Sequence, residues 1–418
     1  MTQHSHLREL LHDVDGLLTW QEDFYRDLHL HPELSHEEER TAQQITTRLE
    51  AFDCEVTTGI GGHGITAVFR NNAGSSAAPT DIDTVLMRAD FDALPVVEDS
   101  GADYASTNGA MHACGHDMHA TALLGVCAIL DAHREAWSGT FIALFQPAEE
   151  TSDGAKSMLA DGLLDKVPAP QVCLGQHVMP GPAGAVMSAA GPVMAGCDSL
   201  RITVTGRSAH ASTPEFSIDP TYIAAMIVTR LQAIVGREVS ARDFFVISVG
   251  ELHSGDKNNI IPASAELVLN TRYYDPVLAE RVYASLERMV RAECLASGSE
   301  VEPTFEYFAH GEVTDNVADT HAVVRPAFDA VFGEQSVTTT TANASEDFCY
   351  LPQAWGVPYY FWFIGSTPAD RMDNPPSNHQ PDFLPDYAPT AHSATRAGAA
   401  AVLSYLGTLP LAEKSGAR

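Results

Sequence analysis

The feature that most constrains this chain is a change of pattern near residue 195. Before it, apolar strands alternate with helices. The runs are ITAVFR (65–70) and TVLMRAD (84–90), helix 119–136, strand 139–150, helix 155–164 and strand 171–178. That alternation implies an α/β layer with a largely parallel sheet, its strands buried on both faces. From 199 the order becomes strand (SLRITVTGR), helix, two strands (DFFVISVGELHSG and SAELVLNTRYY), helix and strand (EVEPTFEYF). A β-α-β-β-α-β run of this kind is a split βαβ, or ferredoxin-like, unit. The first pattern then resumes with helix 321–332, the apolar run VPYYFWFIG and an Ala-rich helix 390–407. The expected organisation is one α/β domain, residues 1–194 and 313–418, interrupted by an inserted α+β domain, residues 195–312.

Smaller signals fill in the frame. Residues 8–28 carry helix-like spacing. Ser35 followed by Glu38 has the form of a capping box opening a second helix. NNAGSSAAPTDID (71–83) reads as a surface loop. No internal repeat is present, which removes solenoid architectures.

Charge narrows the function classes. The chain has 24 Lys+Arg against 55 Asp+Glu, a net charge of −31. Such a field repels nucleic-acid phosphates and anionic membrane surfaces, so neither is an expected partner. No apolar run approaches the ~18 residues of a membrane span. The stretch MTQHSHLRELLHDVDG lacks the charged-then-apolar pattern of a secretory signal. Seven cysteines, an odd number without a CxxC pair, argue against a disulfide framework and for a reducing, cytoplasmic compartment.

The densest chemical cluster is MHACGHDMH, residues 111–119. Cys114 and His116 are donors suited to a late first-row divalent metal. Taken alone, such a His is as readily a satisfied core residue, and such a Cys a small buried hydrophobe. Other strand ends raise the stakes. Asp90 and Asp92 follow one strand, Glu149 and Glu150 the next, His177 a third, and His379 lies in a loop after a fourth. Ligands of open α/β sheets bind at the carboxyl ends of strands. Neighbours on a strand point to opposite sides, so of Glu149 and Glu150 one can bind metal while the other handles a proton.

HPELS with Glu38, RADFDALP, MHACGHD, QPAEE, the His177 strand, ITVTGRSAH, NNIIP, SEDF and NHQPDF occur in the order seen in N-acyl-amino-acid amidohydrolases. The chain resembles that family from about residue 20 to 405. The family includes hippurate hydrolases, indole-acetyl-amino-acid hydrolases and N-acyl-glutamine aminoacylases, within the wider dinuclear metallo-exopeptidases. The resemblance implies a zinc-exopeptidase-like catalytic domain and an inserted lid or dimerisation domain. It implies two divalent ions (Zn, Mn, Co or Ni) held by Cys114, His116, Glu150, His177 and His379, with Cys114 as the candidate bridge. By the same resemblance Glu149 is the general base, and His210 is the donor to the oxyanion, often delivered across a dimer interface. Asn259 and Arg272 match positions that hold the substrate carboxylate. Asp90 is expected to orient a neighbouring ligand, and His112, Asp117 and His119 to shape the site. The implied reaction is hydrolysis of a small-molecule N-acyl-amino acid by a homodimer.

Other readings remain open on the sequence. A dipeptidase or carboxypeptidase could use the same scaffold, although Cys114 in place of a bridging carboxylate favours the amidohydrolase branch. A cysteine-nucleophile amidase would leave Glu149, Glu150 and His379 without a task. A non-catalytic metal-binding protein is supported by no residue. His63, Glu215 and the TSDGAK stretch depart from the family pattern, which bears on substrate preference rather than on reaction class.

Overall fold

The computed structural model describes residues 3–12, 14–71 and 81–408. Most of the expected 71–83 loop, residues 72–80, therefore lies outside the described residues. The chain divides into two compact units. One is Met1–Val193 with Asp315–Thr340 and Asp347–Arg418, and the other is Met194–Thr314 with Thr341–Glu346.

The first unit is built on an eight-stranded sheet. Its order is Glu55–Ile60, Gly64–Asn71, Gly139–Gln146, Thr84–Asp90, Val172–Pro182, Tyr359–Thr367, Val186–Ser188 and Ser336–Thr338. The four central strands, from Gly139–Gln146 to Tyr359–Thr367, run parallel. Antiparallel pairs flank them on either side. The Thr84–Asp90 strand is buried at every position, as an apolar run covered on both faces must be. Helices His116–Ala132 and Tyr387–Leu406 are apolar nearly all round and sink into this core. Because the central strands are parallel, their carboxyl ends share one edge of the sheet. Asp90, Gln146 and the His177 segment emerge there.

The second unit has a four-stranded antiparallel sheet ordered Phe245–Ser254, Ser264–Tyr273, Gly196–Thr205 and Thr304–Gly311. Helices Pro220–Arg237 and Pro276–Ala296 complete the β-α-β-β-α-β order. Each helix has Pro at its start and an Asp cap. Asp219 accepts from Thr221 and Tyr222 N–H, and Asp275 from Val277 N–H. Leu200, Ile202, Val204, Leu267 and Leu269 face Ile223, Ile227, Leu231 and Leu286 in a core of their own. A short ribbon pairs Ala209–His210 with Ile260–Ile261.

Several local expectations are corrected. Residues 8–28 are two helices, Gln3–His12 and Gln21–Leu30, parted by a 3-10 turn at Asp15–Leu17. Gly16 costs about 1 kcal/mol in a helix interior, and Leu11, Val14 and Leu18 reach the core from separate segments. The Ser35–Glu38 capping box does not form. Ser35 Oγ donates instead to Asp92 Oδ2 at 2.8 Å, and Glu38 accepts Ala148 N–H at 2.8 Å. Helix Glu39–Leu49 is capped by Glu33, whose oxygens accept the N–H groups of Arg40 (3.0 Å) and Thr41 (2.7 Å). The strand expected over 139–150 stops at Gln146, so Glu149 and Glu150 sit on a loop. The helix expected over 155–164 is two short ones, Gly154–Ala160 and Leu163–Lys166, with Gly162 between them at φ +81.

Candidate metal centre

The carboxyl edge of the first unit's sheet gathers the residues singled out above. Gly115 adopts φ +80, and a Cβ there would meet Val178 Cβ at 3.3 Å. This left-handed turn lets Cys114 and His116 flank the start of the His116–Ala132 helix. Cys114 Sγ lies 3.4 Å from His177 Nε2 and 3.3 Å from His379 Nε2. His379 Nε2 is 3.4 Å from Glu150 Oε2. His116 Nε2 is 3.8 Å from Glu150 Oε1 and 3.9 Å from Glu149 Oε2. Two donor triads share the Cys114 sulfur, Cys114–His116–His177 and Cys114–Glu150–His379, and Glu149 and Glu150 form a further one with His116.

Hydrogen bonds fix which nitrogen of each imidazole faces inward. His116 Nδ1 lies 3.0 Å from Asp92 Oδ1, and His177 Nδ1 lies 2.8 Å from the Val178 carbonyl. Both rings therefore direct Nε2 toward the thiol, as metal-binding histidines do when the other nitrogen is held. His379 stands at φ +68, its N–H bonded to the Ala113 carbonyl at 2.8 Å. Asn378 Nδ2 donates to the Val178 carbonyl at 3.1 Å beside it.

The chemistry of this donor set suits cations. His116 Nε2 and Glu150 Oε1 are buried and have no hydrogen-bond partner, an arrangement that costs free energy unless something coordinates them. Burial, with Glu150 and Glu149 close by, pushes the Cys114 thiol well up. Burial, with Asp92 and Asp90 adding to it, pushes Glu150 up to about 7. Burial lowers His177 and His379 and keeps them neutral, the form that ligates.

Asp90 stands one step away. It bonds His119 Nδ1 at 2.5 Å and pairs with Arg88, and His119 Nε2 accepts the Val178 N–H at 2.8 Å. The carboxylate that touches His116 directly is Asp92, which also accepts Glu150 N–H at 3.0 Å. The strand-end position of Asp92 was its only signal in the sequence. Arg88, Gln146 and Asp347 form a buried group behind Asp90. His29 bridges Asp117 (2.6 Å) and Glu98 (3.1 Å) beneath the site. Glu98 carried no signal, because its partner is distant in sequence.

His210, Asn259 and Arg272 belong to the second unit. His210 is exposed on the short ribbon. Its Nδ1 accepts the Ser212 N–H at 3.2 Å and lies 2.7 Å from Ser212 Oγ. The Asn259 carbonyl accepts Ala211 N–H at 3.0 Å, which puts Asn259 beside His210. Arg272 pairs with Cys197 at the other end of the ladder from Ser264–Thr205, where the His210 ribbon begins. It bonds Ser345 Oγ at 2.7 Å and Asn270 Oδ1 at 3.1 Å, and makes no ion pair among the described residues.

Comparisons with known proteins agree with this chemistry. The family model described as Peptidase family M20/M25/M40 matches residues 86–397. An N-acyl-L-amino acid amidohydrolase of Geobacillus stearothermophilus is 35% identical over 311 residues, 72% of this chain and 79% of that one. Thermostable carboxypeptidase 1 of Saccharolobus solfataricus is 32% identical over 387 residues, 91% and 94% of the two chains. The solved structure of Bacillus subtilis YXEP, described as a dinuclear metal-binding peptidase, superposes with a TM-score of 0.75 at 27% identity. It covers 93% of this chain and 99% of that one. A thiol shared by two donor triads at the sheet's carboxyl edge and a family match across most of the sequence lead to one conclusion: this chain is a member of peptidase family M20/M25/M40.

Proposed function

We propose that this protein hydrolyses the amide bond of N-acyl-amino acids, releasing a carboxylic acid and a free amino acid. The observation that carries the reading is Cys114 Sγ shared between two donor triads, with Glu149 at their edge. Cys114, His116, Glu150, His177 and His379 would hold two divalent cations, of zinc, manganese, cobalt or nickel type. Bound there, such cations would supply Lewis acidity to the amide carbonyl and to water. Glu149 takes the proton of the attacking water and returns it to the leaving nitrogen. The Nε2–H of His210 donates to the carbonyl oxygen as charge develops on it. Arg272, with its planar fork, and Asn259 hold the free carboxylate of the amino acid.

The second unit serves as the dimerisation domain, and one active site draws on two copies. His210 and Arg272 leave opposite ends of a ladder about 26 Å long, from eight residues of strand rise, too far apart for one small substrate. Exposed Phe216, Tyr222, Leu252 and Ile260 lie on the ribbon, helix and edge strand near His210, an apolar surface suited to a partner copy. The working compartment is the cytoplasm, consistent with seven free cysteines. No described helix is long and apolar enough to cross a membrane.

A hydrolysis panel tests this reading. Acetyl, benzoyl, indole-acetyl and long-chain acyl derivatives of several amino acids are incubated with the protein, with and without chelator and metal add-back. Chelator-sensitive release of free amino acid is expected. A dipeptide cleaved faster than its N-acyl counterpart would favour the carboxypeptidase reading, which the Saccharolobus relative keeps in play.

A further inference from the structure

The loop that carries Glu149 is held from below by three buried carboxylates. Ala148 N–H donates to Glu38 Oε1 at 2.8 Å, Glu150 N–H to Asp92 Oδ2 at 3.0 Å, and Ala155 N–H to Asp347 Oδ2 at 3.0 Å. Within the loop, Ser152 N–H bonds the Glu149 carbonyl at 2.7 Å, and Gly154 N–H bonds the Ala148 carbonyl at 3.0 Å. The turn is tight. A Cβ on Gly154 would stand 1.8 Å from the Pro147 carbonyl oxygen. Ala148, directly before Glu149, sits at φ +53, and Ser152 at φ +58. An alanine in the left-handed region persists only where its surroundings over-determine it.

Asp92 also bonds His116, and Asp347 also bonds Arg88, so a change at either reaches the metal site by a second route. Glu38 differs. It is fully buried, comes from the start of a helix 110 residues away, and bonds the backbone immediately before Glu149. We propose that Glu38 is a positioning residue: its carboxylate holds the Ala148 N–H, and with it the left-handed turn that aims Glu149. The inference rests on Glu149 being the base. It goes beyond that reading by locating what holds the base in place.

Glycine adopts a positive φ without steric cost, and this gives the proposal its own test. Turnover, KM and metal content are measured for Glu38→Ala, Glu38→Gln, Ala148→Gly, the double variant Glu38→Ala/Ala148→Gly, and Glu149→Gln. Glu38→Ala is expected to lower kcat about 10- to 100-fold, as misplaced catalytic groups do, with metal content unchanged and KM moved less than about threefold. Glu38→Gln keeps an acceptor oxygen and is expected to lose less than about fivefold. The double variant is expected to recover most of the loss, because a glycine before Glu149 holds the left-handed turn without the clamp. A normal kcat for Glu38→Ala overturns the proposal, as does an equal loss in Glu38→Ala and the double variant. If Glu38→Ala does not fold, Glu38→Asp, whose shorter side chain draws the acceptor away from Ala148 N–H, decides: a kcat loss that Ala148→Gly restores upholds the role, and an unchanged kcat or an unrestored loss overturns it. Full turnover by Glu149→Gln would instead overturn the base assignment, whatever the Glu38 variants do.

Discussion

Arg272 pairs with Cys197 at one end of the second unit's sheet, and His210 stands on a ribbon that springs from the other end. One small substrate cannot meet both within a single copy. If each active site takes Arg272 from its own chain and His210 from the partner, two inactive variants can complement each other. His210→Ala and Arg272→Ala, each nearly inactive alone, are expected to regain activity when mixed and allowed to exchange subunits. Random mixing makes half the dimers hybrid, each with one intact site, so roughly a quarter of wild-type activity should return. Mixtures that stay inactive despite proven exchange would place both residues in one chain's site.

Glu149 lies 3.9 Å from His116 Nε2, yet it belongs to neither triad that shares Cys114. Glu149→Gln keeps shape and removes basicity. Turnover should fall by about 10²–10⁴, the usual contribution of general acid–base catalysis. Metal content by elemental analysis should stay at the wild-type value. Lost metal would mean that Glu149 is a ligand.

Asp92 holds His116 through Nδ1 at 3.0 Å. Replacing the acceptor that orients a metal-bound imidazole typically costs about 10- to 100-fold in affinity. Asp92→Asn is expected to weaken metal binding by about that factor in a competition titration against a chromophoric chelator. Unchanged affinity would show that His116 is held by its packing alone.

His29 yields a pH dependence. Burial alone would lower it, but Asp117 and Glu98 prevail and push it from 6.5 up to about 9. A histidine raised on folding contributes stability fully below its unfolded pKa and loses it as pH rises through the folded one. Metal-free protein should therefore lose stability between pH 6.5 and about 9, read as a falling urea midpoint. His29→Gln should flatten that slope. An equal slope in both proteins would assign it elsewhere.

How much of this was legible in the sequence depends on the range of each interaction. Cys114, His116, Glu150, His177 and His379 follow from donor chemistry at strand ends together with the family resemblance, and the parallel sheet does bring them to one edge. Both units of the fold follow from periodicity, because burial on one face or two writes itself into the spacing of apolar residues. The capping box failed for the opposite reason. Ser35 and Glu38 have the right local spacing, but Asp92 and Ala148 compete for them from 57 and 110 residues away.

The sequence alone determined the layer architecture and the inserted β-α-β-β-α-β unit, which depend on residue type and short spacing. Only the tertiary structure decided which carboxylate orients which histidine, that one sulfur serves two triads, and that His210 and Arg272 stand at opposite ends of one ladder. Hydrogen bonds act over about 3 Å, and no spacing along the chain states which of many equivalent oxygens the fold will bring within that reach.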